Sequence, residues 1–249
     1  MPPKFENISL SVVMPTYNEA ENIVPLIKET LKIVREHFSF SFLEILVVDD
    51  NSPDETWKIA ENCGENEVKV IRRMENRGLR NSIWEGVQKA KGEIIVWLDC
   101  DFSHPPRYIP QIVSCVLLGW NIAVNSRYVA GGEDVREGKG TWLQRILSWF
   151  LNRITWLLLG TSFKDYTSGF IAVRADVVRN LGLNGDYGEY FIDFIYRAVK
   201  KGEKVLELPY SNEPRVAGKS KTGSNLIDYA RLGVQYIVTL LMLKINGHL

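Results

Sequence analysis

The feature that most limits how this chain can fold is an alternation through its first half: a short apolar run, a cluster of turn formers carrying acids, then a helical pattern. The first run, Ser11 to Pro15, passes through Asn18-Glu19 into a segment whose apolar residues Ile23, Leu26, Ile27, Leu31 and Val34 recur near the helical period. The second, Leu43 to Val48, enters Asp49-Asp50-Asn51-Ser52-Pro53-Asp54 and then a helix from Trp57 to Asn62. Val68 to Ile71 and Glu93 to Leu98 read as the third and fourth strands, with a helix over Ser82 to Ala90 between them. The fourth strand stops on Asp99-Cys100-Asp101. Strands joined through helices run parallel, because a parallel neighbour needs a long crossover. The expected class is therefore α/β, with a mostly parallel central sheet covered by helices on both faces.

The second half departs from this rhythm. A helix over Pro110 to Leu118 and a strand in Asn121 to Tyr128 precede a Gly-rich, charged stretch from Gly131 to Gly140 that reads as a loop. Trp142 to Leu159 is a helix crowded with aromatic and aliphatic residues and interrupted by Gln144, Arg145, Asn152 and Arg153. It suits either a core or a membrane interface. A last helix, about Leu226 to Ile245, carries Asp228, Arg231 and Gln235; its uninterrupted apolar stretch, Tyr236 to Leu243, falls short of the roughly 20 residues a bilayer requires. The division expected is a catalytic domain over residues 1–225 and a membrane-associated amphipathic helix over 226–249.

Composition narrows the function classes. Thirty Lys+Arg balance thirty Asp+Glu, so no global basic field marks a nucleic-acid binder. The three cysteines lack the spacing of a zinc module or a disulfide framework and fit a reducing compartment. No signal-peptide pattern opens the chain, so this part is expected in the cytosol.

The strand-end acids carry the chemistry. In open α/β sheets ligands collect at the carboxyl edge where strand order reverses, so Glu19, Asp50, Asp99 and Asp101 should converge there. A carboxylate-x-carboxylate pair such as Asp99 and Asp101 suits a hard divalent cation, Mg²⁺ or Mn²⁺, with diphosphate oxygens and water completing the shell. The plainer alternative is that the pair only caps a turn. Neither GxGxxG nor GxxxxGK[ST] follows the first strand, which takes most of the weight from dinucleotide and P-loop readings. A bound nucleotide must then be balanced by a cation and by Lys or Arg. Arg127, Arg145 and the Arg215 to Lys221 segment are the basic candidates, solvated charges if read singly and an anion clamp if read together. Asp165 to Phe170 reads as a turn, and Asp193, inside an apolar helical run, either points to solvent or reaches a site. His37, His104 and His248 offer neither metal spacing nor a triad.

PTYNEAENI, VVDDNSPDET, DCDFSHPP, NSRYVAGG, TSGF and RVAGKSKTG, in this order from about Ser11 to Gly223, make the chain resemble the family-two glycosyltransferases, most closely the dolichyl-phosphate mannose synthase group. The resemblance implies a GT-A, Rossmann-like three-layer sandwich, a sugar-nucleotide donor, Mg²⁺ or Mn²⁺, and inverting transfer onto dolichyl or another polyprenyl phosphate. GDP-mannose is the first expected donor and UDP-glucose its rival; a non-catalytic sugar-nucleotide-binding subunit is a further reading. Carried over residue by residue, the resemblance puts Pro15, Tyr17, Glu19, Val48, Asp50 and Cys100 around the donor, with Arg215 and Lys221 closing over the charges. Asp99, Asp101 and Ser103 fall on the metal, Ser103 standing where some members have Gln. Arg127, Arg145 and Ser148 fall on the acceptor phosphate, and Asp193 faces the reacting centre where the group usually has Glu. The resemblance also implies a peripheral place on the cytoplasmic face of a membrane, with the membrane surface and a small membrane protein as partners. Arg80-Asn81-Ser82, Gln144-Arg145 and Trp149-Phe150-Leu151 depart from the group's usual residues. A phosphate monoester, with a second pKa of about 6, is largely dianionic at neutral pH and attacks without a dedicated general base.

Overall fold

The computed structural model describes residues 5–136, 141–218 and 226–246. Its first half alternates as the sequence predicts: β1 (Phe5–Thr16), α1 (Ile23–His37), β2 (Phe38–Asp49), α2 (Thr56–Glu61), β3 (Val68–Arg72), α3 (Leu79–Lys89) and β4 (Ile94–Trp97). A 3₁₀ turn, Pro106–Tyr108, leads into α4 (Ile109–Leu117), then β5 (Ile122–Ser126), β6 (Glu133–Asp134), α5 (Thr141–Leu159), β7 (Ile171–Arg174), α6 (Ala175–Leu181), α7 (Glu189–Lys200), β8 (Val205–Pro209), β9 (Ser211–Asn212) and α8 (Leu226–Asn246). The strands form a seven-stranded sheet of order β3-β2-β1-β4-β7-β5-β8, and β6 pairs with β9 in a separate two-stranded sheet. Its first strand, β6, lies inside the stretch from Gly131 to Gly140 read as plain loop, because two-residue strands leave no periodic signal.

All pairings in the large sheet are parallel except those of β7, which runs antiparallel to β4 and β5. The reason lies in where the chain arrives. Ile171 pairs with Trp97, the last residue of β4, so β7 enters at the carboxyl edge and must run back down the sheet. The segment from Asp165 to Phe170 is thereby held at the same edge as the loops after β1, β2, β4 and β5.

Alternation along the buried strands feeds two cores. Val13, Val48, Ile95 and Trp97 pack under α3, α6 and α7, while Leu10, Val12, Met14 and Val96 pack under α1 and α4. Gly86 lets α3 lie close to the sheet, since a Cβ there would sit 2.4 Å from Cγ1 of Val13. Leu240 of α8 is buried in the first of these cores, with Tyr236 and Leu243 packed against it. The outer surfaces of α5 and α8 are different: Trp149, Phe150, Leu157, Ile237, Met242 and Ile245 are all exposed. Among the described residues no helix is long and apolar enough to cross a membrane.

Candidate active site

Strand order reverses at β1, which has β2 on one side and β4 on the other, so the loops after β1 and β4 part and leave a crevice between them. The turn after β4 is tight. Phe102 adopts φ 68°, a left-handed conformation that a bulky residue takes only under constraint from its surroundings. This turn folds Ser103 back so that its N–H (2.9 Å) and hydroxyl (2.6 Å) both donate to Oδ1 of Asp101. Ser103, expected as a metal ligand, is thus an orienting donor to the carboxylate beside it.

Arg215 reaches into the crevice from the other side, with Nη2 at 2.6 Å from Oδ2 of Asp101 and Nη1 at 3.0 Å from Oε1 of Glu19. Glu19 is itself buried, and its Oε2 accepts from Asn22 Nδ2 at 2.7 Å. Burial works against ionisation of Asp101, but Arg215 and the two bonds from Ser103 outweigh it and hold the carboxyl below its usual range. Asp99 shifts the other way. Crowding by the protein raises it, and the charges of Asp101 and Glu19 add to that, against the pull of His104 and Arg215. Half of its side-chain surface, 53%, nevertheless remains open to solvent. Of the four acids expected to converge, Glu19 and Asp101 meet on Arg215 with Asp99 beside them, whereas Asp50 is bound by Gly78, Ser82 and Arg73, and Lys221 lies outside the described residues.

His104 was set aside in the sequence for want of metal spacing, yet it supports this cluster. Its Nδ1 accepts the backbone N–H of Asp99 at 3.0 Å, which assigns the ring proton to Nε2, 4.0 Å from Oδ2 of Asp99. Burial is the main force lowering its pKa and keeping it neutral. The ring stacks on Phe170, with centroids 5.0 Å apart. Tyr190 is also close: its hydroxyl accepts from Trp97 Nε1 at 3.1 Å, and burial followed by the charge of Asp99 raises its pKa. The available signal for His104 was its position three residues after Asp101, in the turn that aims both acids.

The donor candidates divide. Pro15 is half-buried and pairs in register with Val48, and Tyr17 is exposed beyond the end of β1. The side chains of Val48 and Cys100, however, belong to the two cores, so these positions face the crevice with backbone alone. Asp50 is engaged: it accepts from the N–H of Gly78 at 2.7 Å, from the Ser82 hydroxyl at 2.8 Å and from Arg73. Arg73 was not singled out from the sequence, where it is one of an Arg-Arg pair ending the third strand. Its other bonds run to Glu85, the Ser82 hydroxyl and the carbonyl of Asn76.

The acceptor candidates come together, with one correction. Arg127, expected to grip a phosphate, is buried and tied to Asp165 by Nε (2.9 Å), Nη2 (2.6 Å) and its own backbone N–H (2.8 Å). Nη2 also donates to Thr167 Oγ1 at 2.7 Å, and Nη1 lies 3.6 Å from Asp134. The segment Asp165 to Phe170, read as a turn, supplies that buried counter-charge. Ser148 bridges Tyr128 (3.2 Å) and Thr167 (2.9 Å), and exposed Arg145 lines a pocket of about 390 Å³ with Tyr128, Asp134, Ile146 and Trp149. A larger depression of about 530 Å³, bordered by Arg73, Arg80, Trp84, Glu85 and Lys89, lies along α3 and includes neither Asp99 nor Asp101.

Asp193, expected to face the reacting centre, is held by neighbours of its own. Its carboxylate accepts from Arg197 Nε at 2.8 Å and Asn184 at 3.2 Å, and Arg197 in turn holds the carbonyls of Leu181 and Gly182. Spacing of four residues on α7 puts Asp193 and Arg197 on one face, turned toward the end of α6.

Comparison with known proteins places this geometry. The glycosyl transferase family 2 profile matches residues 11–182. The chain is 33% identical over 228 residues to a dolichol-phosphate mannosyltransferase of Pyrococcus furiosus, covering 90% of this chain and 62% of that one, so it spans less than two thirds of that relative's length. It is 35% identical over 225 residues to a polyprenol monophosphomannose synthase of Mycolicibacterium smegmatis, covering 86% and 82% of the two chains. In fold it is similar to glucosyl-3-phosphoglycerate synthase of Mycobacterium tuberculosis, solved with Mn²⁺, UDP and phosphoglyceric acid, at TM-score 0.71 and 20% identity, covering 95% of this chain and 78% of that one. From the order of its strands and the family match across most of its length, the chain belongs to glycosyl transferase family 2.

Proposed function

We propose that this chain moves a hexosyl group, mannose from GDP-mannose first among donors, onto the phosphate of a polyprenyl lipid such as dolichyl phosphate, with inversion. The observation that carries the reading is a pair of carboxylates, Asp99 and Asp101, at the switch crevice, on the same sheet edge as a pocket bearing Arg145, Tyr128 and Ser148. The names of the two relatives support a polyprenyl-phosphate acceptor and mannose.

The acids fit a divalent metal in donor chemistry: both are hard oxygen donors, one half-open and the other oriented by Ser103. Mg²⁺ or Mn²⁺ held by Asp99 and Asp101 would neutralise the leaving diphosphate. The remaining work falls to the chain itself. Arg215 lies within reach of diphosphate charge beside Glu19, and His104 fixes the backbone of Asp99. Arg145 supplies the exposed cation for the incoming phosphate, and Ser148 offers it a hydroxyl. Arg127, already committed to Asp165, acts through Thr167 by holding Ser148 in place. Holding two anionic groups in line is the catalytic task, so positioning and charge balance replace a general base.

The exposed apolar residues of α5 and α8 support a peripheral place on a membrane surface, with Arg145 and Arg153 on the same helix to meet anionic headgroups. A transfer assay with GDP-mannose and UDP-glucose, dolichyl phosphate in detergent, and a determination of the product's anomeric configuration tests the reading. Inverted mannosyl lipid is the expected product; retention, or label only in water-soluble products, would overturn it.

A further inference from the structure

We propose that Arg215 is an internal counter-ion that keeps the acid pair closed to a divalent cation until a nucleoside diphosphate draws its guanidinium away, so that cation binding is conditional on nucleotide. The inference rests on the donor-site reading above and adds to it an order of assembly.

Three observations carry it. Both donors of Ser103 occupy Oδ1 of Asp101, which makes Oδ2 the outward oxygen of that carboxylate, and Arg215 covers it at 2.6 Å. The same guanidinium spans to Glu19 at 3.0 Å, so one side chain cross-links the loop after β1 to the turn after β4 across the mouth of the crevice. The backbone carrying Arg215 is fastened over that mouth as well: the N–H of Glu213 donates to Ser103 O at 3.2 Å, the N–H of Val216 to Asp101 O at 3.1 Å, and Asn22 Nδ2 to Ala217 O at 3.2 Å.

Among the described residues no group of three His, Cys, Asp or Glu side chains is placed to hold a metal ion. A hard cation at Asp99 and Asp101 therefore needs oxygens from outside the protein and must also compete with Arg215 for Oδ2. Free metal loses that competition, since its coming breaks one of the two carboxylate contacts of the guanidinium and sets a divalent charge beside it. A diphosphate changes the balance from both sides. It offers Arg215 the same planar, two-oxygen match that carboxylates do, and it brings the oxygens that the cation lacks. By linkage, whatever factor the nucleotide adds to cation affinity the cation adds to nucleotide affinity.

The test uses Mn²⁺ as the probe, its free concentration followed by electron paramagnetic resonance, with the purified protein and with GDP or UDP in parallel and no sugar present. Wild type should bind Mn²⁺ weakly alone and roughly 5- to 150-fold more tightly with nucleotide, the ordinary range of coupling between sites. In Arg215→Gln the affinity for Mn²⁺ alone should rise, by about fivefold or more, while the nucleotide's effect shrinks. Arg215→Lys, which keeps a cation in place, should stay near wild type. An arginine that only binds phosphate would, when removed, weaken nucleotide binding and leave Mn²⁺ alone unchanged; that result, or wild-type affinity for Mn²⁺ indifferent to nucleotide, overturns the proposal while the metal site stands. No Mn²⁺ binding under any condition overturns the proposal and the metal reading together.

Discussion

Replacing Asp165 by Asn tests how the carboxyl edge is held together. Asp165 is fully buried and Arg127 nearly so, the two side chains being 0% and 4% exposed, and the carboxylate takes three bonds from Arg127 as well as one from the N–H of Thr167. An amide at that position removes the balancing charge and turns a donor toward a guanidinium that has only donors. Breaking a buried pair from one side costs about 3–5 kcal/mol. For a chain of this size each kcal/mol lowers the melting temperature by about 2–4 °C, so a drop of roughly 6–20 °C is expected. The assay is urea and thermal unfolding at neutral pH, with coincidence of tryptophan fluorescence and circular dichroism as the check on two-state behaviour. Arg127→Met with Asp165→Leu removes both charges and should lose much less than the sum of the single changes. A loss below about 1 kcal/mol in Asp165→Asn would refute the claim that this pair bears the edge's stability.

Further outcomes follow from the same geometry. Asp101→Asn should lower transfer at least about a hundredfold, the scale set by losing one preorganised electrostatic partner, and leave the fold intact; wild-type turnover with Mg²⁺ or Mn²⁺ would remove Asp101 from the site. Glu44 is penalised by burial, yet Lys69, the N–H of Lys91 and Ser11 together hold its pKa below the ordinary value of about 4.3. The stability it contributes is present above that unfolded-state value and lost as pH falls through the lower folded-state one. Glu44→Gln should therefore lose stability at pH 7 and lose less of it below pH 4, and an identical deficit at both would contradict the assignment. Exchanging Trp149 and Phe150 together for Ser should leave unfolding midpoints nearly unchanged and weaken binding to anionic vesicles about tenfold or more, since burying each ring is worth about 1.5–3 kcal/mol. Unaltered vesicle binding would move the membrane surface elsewhere.

The first half of the fold was legible because its signals are local. Apolar runs, turn formers and helical periods alternate from Ser11 to Leu98, and elements so arranged have few topologies open to them. The direction of β7 was not legible, because it depends on the edge at which the chain arrives after α5 and not on the residues Ile171 to Arg174. The acids of the site could be listed from their places after strands, but not their partners. That Arg127 belongs to Asp165, Asp50 to Arg73 and Asp193 to Arg197 depends on which helices and turns meet in space. A charged residue in sequence shows only what it is able to bind, and the fold decides whether a neighbour has already bound it. Cys100 gives the converse case: it lies between the two acids of the motif, yet it packs in the core while Asp101 meets Arg215.

The most direct test of the account is lipid-phase label from GDP-[¹⁴C]mannose with purified protein and dolichyl phosphate, measured with Mn²⁺ and with EDTA, in wild type and Asp101→Asn. The account expects label that requires the cation, the lipid phosphate and Asp101 together. Label that persists in EDTA or in the variant would contradict it.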